Sequence, residues 1–224
     1  MTVAAVILAA QPASALRDVE GVANARRLAD TAWAGGALPI VAVSFDPDGA
    51  VANALAGSPA ILVAPAPPEA GPVGQICRGI DVARAEIDGT DAALVWPARM
   101  GWVDAETVTS LIEAHGADRA PVLRPAFRGG AGWPALVPTA HLETLRGLDR
   151  TLMPGPLLDA LASRVGSRLV ELGDPGTVHD LDTPRANLPP FEGPNEPASE
   201  SHHEWGSPAA AGPDEPPARP RTVG

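Results

Sequence analysis

The chain opens on Val3-Ala4-Ala5-Val6-Ile7-Leu8-Ala9, seven consecutive residues without a polar side chain. Successive side chains of a strand point to opposite faces, so a run that is apolar at every position must be buried on both. Comparable runs recur at 39–44, 60–63, 92–96 and 121–123, separated by helix-like stretches at 22–34, 49–55, 73–85 and 105–114. In the third helical stretch Ile76, Ile80 and Ala83 share one face while Arg78, Asp81 and Arg84 point elsewhere, as a surface helix requires. Asp104 stands one residue before the fourth and predicts its N-cap, with Glu106 favourable in the first turn. The alternation predicts an α/β fold, a mostly parallel sheet covered by helices on both faces. After Arg124 the pattern loosens into a strand at 135–137, helices at 139–146 and 156–165, and a strand at 168–172.

A chain of 224 residues suits one domain, expected over 1–189, followed by a tail. From 190 to 224 Pro, Glu, Ser and Gly dominate and apolar periodicity stops, which predicts an acidic disordered tail. The net charge of −11 repels phosphate backbones and anionic lipid, so neither a nucleic acid nor a membrane surface is expected as partner. Cys77 is the only cysteine, which excludes an internal disulfide and points to a small buried hydrophobe. The apolar start lacks a basic leader and meets polar residues by Gln11, so it reads as a strand rather than a targeting or membrane segment. The expected location is cytoplasmic. His202-His203-Glu204 in the tail reads as solvated rather than metal-binding.

Sheets of this kind bind ligands at the carboxyl ends of their strands, and four loops there carry unusual residues. The first runs from Ala9-Ala10-Gln11 to Arg17. A nucleotide-binding sheet places a glycine-rich loop and a lysine after such a strand. This loop has neither, and all sixteen basic residues of the chain are arginine. The second is Glu69-Ala70-Gly71-Pro72-Val73-Gly74, whose glycines let backbone amides approach a ligand at a helix start, although plain loop geometry explains them equally well. In the third, Trp96 to Asp104, two tryptophans and Arg99 suggest either packing at the edge of the core or a lid. Trp96, Trp102 and Trp133 are candidate anchors for a protein partner. The fourth is His179-Asp180-Leu181-Asp182-Thr183-Pro184. It reads either as a helix start capped by Asp182 or Thr183, or as a pair of acids for a hard cation.

In order and spacing these pieces resemble the MobA-like NTP transferase family, which includes the molybdenum-cofactor guanylyl- and cytidylyltransferases. The resemblance spans residues 3–188. Val6-Ile7-Leu8-Ala9-Ala10 matches the family's opening Leu-Ala-Ala-Gly strand, with Gln11 in place of the glycine. The loop that follows is shortened, its lysine is gone, and Arg17 partly substitutes for its arginine. Glu69-Ala70-Gly71-Pro72 fits the family's Glu-x-Gly-Pro. Val103-Asp104-Ala105-Glu106-Thr107 matches its Val-x-x-Glu-Thr, but in register Arg99 falls on the metal-binding aspartate and Gly101 on the proline beyond it. Gly132-Trp133-Pro134 has Trp133 for the family's histidine. Asp180-Leu181-Asp182-Thr183-Pro184 matches the closing Asp-Ile-Asp-Thr-Pro, where Asp182 is the second metal-contacting position.

The resemblance implies a Rossmann-like three-layer sandwich of the nucleotide-diphospho-sugar transferase type. It implies an ancestral reaction in which an acceptor phosphate attacks the α-phosphorus of an NTP and releases pyrophosphate. Nucleotide contacts fall on Ala9, Ala10, Gln11, Gly71 and Gly74, catalytic cations on Arg17 and Arg99, and a Mg²⁺ on Asp182 with Asp180. The implied partners are GTP or CTP and a small phosphorylated, pterin-type acceptor. Two functions remain open. One is a divergent working transferase. The other is a catalytically inactive relative that binds a nucleotide or a protein partner. The loss of charge at three separate motifs favours the second, because that reaction depends on neutralising phosphate charge.

Overall fold

The structure, a computed structural model, describes residues 1–193. The strands are β1 Thr2–Leu8, β2 Asp18–Val19, β3 Val22–Ala23, β4 Ile40–Val43, β5 Ala60–Val63, β6 Thr90–Pro97, β7 Val122–Phe127, β8 Gly130–Ala131, β9 Ala135–Pro138 and β10 Ser167–Glu171. The helices are α1 Pro12–Leu16, α2 Asn24–Ala34, α3 Ala50–Leu55, α4 Gly71–Glu86, α5 Ala105–Ala117, α6 Leu142–Arg146 and α7 Pro154–Val165. One sheet runs in the order β10-β7-β9-β6-β1-β4-β5, with β8 paired on β7. Its pairs are parallel except where β9 lies between β6 and β7 and where β8 joins β7. The fold is the expected α/β three-layer sandwich.

The apolar runs sit where their composition requires. β1 is an interior strand, with Val3 to Ile7 buried, and it is in register with Ile40–Val43 on one side and β6 on the other. Helix α4 groups with α6 and α7, and α2 with α3 and α5. The α4 layer approaches the sheet so closely that a Cβ added at Gly79 would lie 2.2 Å from Cγ1 of Val6. At α5 the Asp104 carboxylate accepts the Glu106 N–H at 2.9 Å, the expected N-cap, a contact worth about 1 kcal/mol.

Four local features depart from the sequence expectation. Residues 22 and 23 are a strand rather than the first turn of α2. Glu20 and Gly21 both have positive φ (57° and 85°), and this two-residue turn folds β3 back on β2. Pro12–Leu16 is a short helix rather than open loop. The helix expected over 139–146 is split into a 3-10 turn, Thr139–His141, and α6, because the Thr139 hydroxyl donates to the carbonyls of Thr90 and Asp91 instead of capping. The turn after Pro184 spans Arg185–Asn187, with Pro184 and not Asp182 or Thr183 at its cap.

The chain remains against the domain through its last described residues. The Glu192 N–H donates to Gly173 O at 2.8 Å, and its carboxylate pairs with Arg128. The expected tail, including His202-His203-Glu204, lies outside the described residues from 194 onward. Among the described residues no helix is long and apolar enough to cross a membrane.

Candidate functional site

Strands β6, β1 and β4 end side by side, and the loops leaving their carboxyl ends enclose a cavity of about 490 Å³. Leu8, Val43 and Pro97 form its floor at the three strand ends. The chain leaves β1 through Ala9, which is buried and donates its N–H to Val43 O at 3.0 Å. Ala10 and Gln11 then line the cavity. Helix α1 starts at once, with Pro12 in the first turn, where a missing N–H costs nothing.

Asn24, the first residue of α2, locks this loop in place. It is fully buried, and its amide donates to Ser14 O at 3.1 Å and Ala98 O at 2.6 Å. One side chain thus stitches the loop after β1 to the loop after β6. Nothing in the sequence reading singled it out, since an asparagine near a helix start ordinarily caps. The available signal was its place on the buried stripe of α2, four residues before Leu28.

Arg99 follows β6 into solvent, its side chain 67 % exposed, and reaches Oδ2 of Asp180 at 3.8 Å. Arg17, just past α1, donates to Oδ1 of Asp182 at 2.8 Å and to the carbonyl of Leu181. The closing segment is held between these arginines. The Leu181 N–H donates to Arg99 O at 2.9 Å, and its buried side chain packs on Gly101, where a Cβ would come within 2.8 Å of it. Arg17, Arg99, Asp180 and Asp182 therefore come together as two arginine–aspartate pairs beside the cavity.

Gly71 and Gly74 lie apart from this cluster, while Pro72 and Gln75 of the same turn line the cavity. Gly71 has φ of +61°, and a Cβ there would stand 1.9 Å from Arg150 O; at Gly74 it would stand 2.3 Å from the Ala70 Cβ. Close approach of the chain to itself accounts for both glycines. Trp96 is wholly buried and donates its indole N–H to Met100 O at 2.9 Å. A ring with no exposed surface cannot anchor a partner, so the interface role considered for Trp96 gives way to core packing. Trp133 is also buried, with one ring face under the Arg124 guanidinium at 5.5 Å, and it lines the cavity.

A second cavity, about 600 Å³, lies between α2, the start of α5 and the 174–191 segment. Trp102 stands in its wall with Arg27 at 5.5 Å and Arg185 at 5.9 Å from the ring centre. Both arginines pair with Glu20. Asp174 sits at the cavity's edge, fully buried. Burial pushes its carboxyl up from the ordinary carboxylate range, while N–H groups of Asp104 (3.0 Å) and Gly176 (2.7 Å) and the Thr107 hydroxyl (2.7 Å) oppose that shift. The cavity is larger than the first and is lined in part by the loop leaving β6, but both its arginines are engaged, with Glu20 and over the Trp102 ring.

The profile of the MobA-like NTP transferase domain matches residues 5–165. The chain belongs to the MobA-like NTP transferase family. A sequence comparison with curated proteins gives no match. Among solved structures, a nucleotidyl transferase from Methanothermobacter is 21 % identical, with a TM-score of 0.64 over 81 % of this chain and 92 % of that one. Rv0371C of Mycobacterium tuberculosis, solved as a complex with manganese, is 17 % identical with a TM-score of 0.59, covering 77 % of this chain and 89 % of that one. A 2-C-methyl-D-erythritol 4-phosphate cytidylyltransferase from Thermus thermophilus is 18 % identical with a TM-score of 0.59, covering 82 % and 94 %. At such identities the likeness shows the shared fold alone.

In this MobA-like domain the closing carboxylates do not fit a divalent cation as arranged. Each faces a guanidinium within 4 Å, and a fixed positive charge at that distance repels a metal ion. Oδ1 of Asp180 already accepts the Asp182 N–H at 3.1 Å. Among the described residues there is no group of three or more His, Cys, Asp or Glu placed to hold a metal.

Proposed function

We propose that this MobA-like domain binds a nucleoside triphosphate, GTP or CTP, at the carboxyl ends of β1 and β6, and that metal-assisted nucleotidyl transfer is much reduced or lost. The observation that carries this reading is the pairing of Asp180 with Arg99 and of Asp182 with Arg17. The carboxylates that the resemblance assigns to a metal hold arginines here. A guanidinium carries five N–H donors in a planar fork, so a triphosphate can share Arg17 and Arg99 with their aspartates without displacing them. Guanidinium also suits bidentate contact with phosphate oxygens. Ala10 and Gln11 would lie along the nucleotide.

Loss of one electrostatic element of this kind typically slows a reaction by about two to three orders of magnitude. Here the lysine and the glycine-rich cradle are absent and an arginine stands for the aspartate. Mg²⁺, the cofactor that the family resemblance implies, has no fitting ligand set in this arrangement, and a pterin-type phosphate acceptor would find no metal-activated α-phosphate.

The test is calorimetric titration of GTP, CTP and ATP with Mg²⁺ and with chelator, alongside a pyrophosphate-release assay with a pterin phosphate acceptor. Saturable binding that is insensitive to Mg²⁺, without release, is the expected result. Release abolished by Asp182→Ala would replace this reading with that of a working transferase.

A further inference from the structure

The cavity at the strand ends is chemically lopsided. Apart from Gln75, its polar side chains, Gln11, Ser14 and Arg99, lie on the segments that follow β1 and β6. Elsewhere the wall is built from Trp133, Met153, Gly155 and the prolines at 72, 154 and 156, with Pro97 in the floor. Proline carries no backbone N–H, so at four positions the lining has no main-chain donor to offer. Gln75, a polar residue on the α4 side, is spent on its own scaffold. Its carboxamide oxygen accepts the Ala66 N–H at 2.8 Å, and its nitrogen donates to Ala66 O at 2.9 Å. A hydroxyl-rich body seated against this wall, away from the Ala10-Gln11 side along which a nucleotide would lie, would leave water and find few partners, which is costly. An aromatic ring or an alkyl chain would lose nothing and would bury apolar surface against Trp133 and the thioether of Met153.

We infer that this cavity takes a small organic phosphate with an apolar body, an aryl or alkyl phosphate, and discriminates against phosphorylated sugars and polyols. The anion is held at Arg99, whose contact with Asp180 is long at 3.8 Å and whose side chain is largely free. The body lies against the part of Trp133 that lines the cavity, a ring otherwise buried. The volume of about 490 Å³ falls within the range of small-molecule sites. The inference rests on the proposed function only in placing an anion at Arg99 of the same cavity, and it defines the second ligand class of that site.

The experiment titrates the full-length protein with phenyl phosphate, glucose 1-phosphate and inorganic phosphate by calorimetry, and the same preparation with GTP and CTP. Phenyl phosphate is expected to bind at least about tenfold more tightly than the other two phosphates. Arg99→Ala should weaken it by about tenfold or more. Met153 is 66 % exposed, so Met153→Glu leaves the fold intact while placing a charge against the apolar body; it should weaken phenyl phosphate about tenfold and inorganic phosphate far less. Glucose 1-phosphate binding as tightly as phenyl phosphate would overturn the inference. So would indifference to Met153→Glu, or no saturable binding of phenyl phosphate. Binding of phenyl phosphate without binding of GTP or CTP would sustain it and remove the nucleotide reading. The reverse pattern would remove the inference alone.

Discussion

The two cavities are assembled from the same kinds of residue, a tryptophan, arginines and aspartates, and differ in how the arginines are held. Beside the smaller cavity, Arg99 meets its aspartate at 3.8 Å and Arg17 meets one that is mostly in solvent. Beside the larger, Arg27 and Arg185 share Glu20, bracket the Trp102 ring, and Arg27 also donates to Gly101 O at 2.9 Å. The first sets two arginines against two aspartates but leaves the charge of Arg99, 67 % exposed and 3.8 Å from its partner, for an anion to recruit. The second spends its charge on bracing the loop between β6 and α5 to the 181–193 segment, whose Thr183 carbonyl accepts the Trp102 indole N–H at 3.0 Å. Size alone does not mark a site; available charge at the strand ends does.

This contrast can be broken at several points. The largest effect is expected at Asp174, whose buried carboxylate ties the start of α5 to the edge of the larger cavity through hydrogen bonds from Asp104 and Thr107 and accepts a third from Gly176 in its own turn. Asp174→Ala leaves those donors unpaired and should lower unfolding stability by about 3 kcal/mol in urea titration. A loss within error would mean that this region is not the rigid brace described.

Next comes Arg99→Asp, which exchanges the recruitable cation for a carboxylate beside Asp180. It should make nucleotide binding depend on Mg²⁺, with about a tenfold gain in affinity on adding the metal, or about 1.4 kcal/mol. Equal affinities with and without Mg²⁺ would argue that the loop after β6 does not line the nucleotide site.

Glu20→Ala tests the other side of the comparison. Freeing Arg27 and Arg185 should cost less than about 1 kcal/mol in thermal unfolding, because the pairs are exposed. It should also create sulfate binding that the unmodified protein lacks at this cavity. Absence of any new anion binding would show that the bracket around Trp102 holds without its carboxylate.

The smallest effect near neutral pH is a control remote from both cavities. His115 is buried, neither ring nitrogen has a partner among the described residues, and burial holds its pKa below the ordinary 6.5. The unfolded chain therefore takes up a proton at a pH where the folded one does not. Stability from this residue is complete above about pH 6.5 and declines as the pH falls below it. His115→Leu should flatten the acid side of a melting-temperature profile while leaving anion binding at either cavity as it was. An unchanged acid slope would show that His115 is not the residue responsible.

Much of this architecture was legible in the residue pattern. β1, β4 and β6 fall within two residues of their expected limits, because strands buried on both faces must be apolar throughout, and β5 lies where expected although it is a half-buried edge strand. The hairpin β2–β3 was not, because two-residue strands carry no periodicity and only the turn at Glu20-Gly21 marks them. Motif order brought Arg17, Arg99, Asp180 and Asp182 into one neighbourhood. It did not reveal that the arginines hold the aspartates, since Arg17 and Asp182 are 165 positions apart and spacing says nothing about such a contact. The larger cavity was invisible for the same reason, being closed by side chains from α2, α5 and the 174–191 stretch at once.

The amide of Asn24 has a consequence for selectivity. With Ser14 and Ala98 held by the same buried group, neither rim of the smaller cavity can swing outward without orphaning a donor in the core. On that side the mouth is a fixed frame rather than a hinged one, so there a ligand is admitted by fit and not by accommodation. What binds there loses little freedom of the protein in doing so, and what is too wide is turned away at the rim.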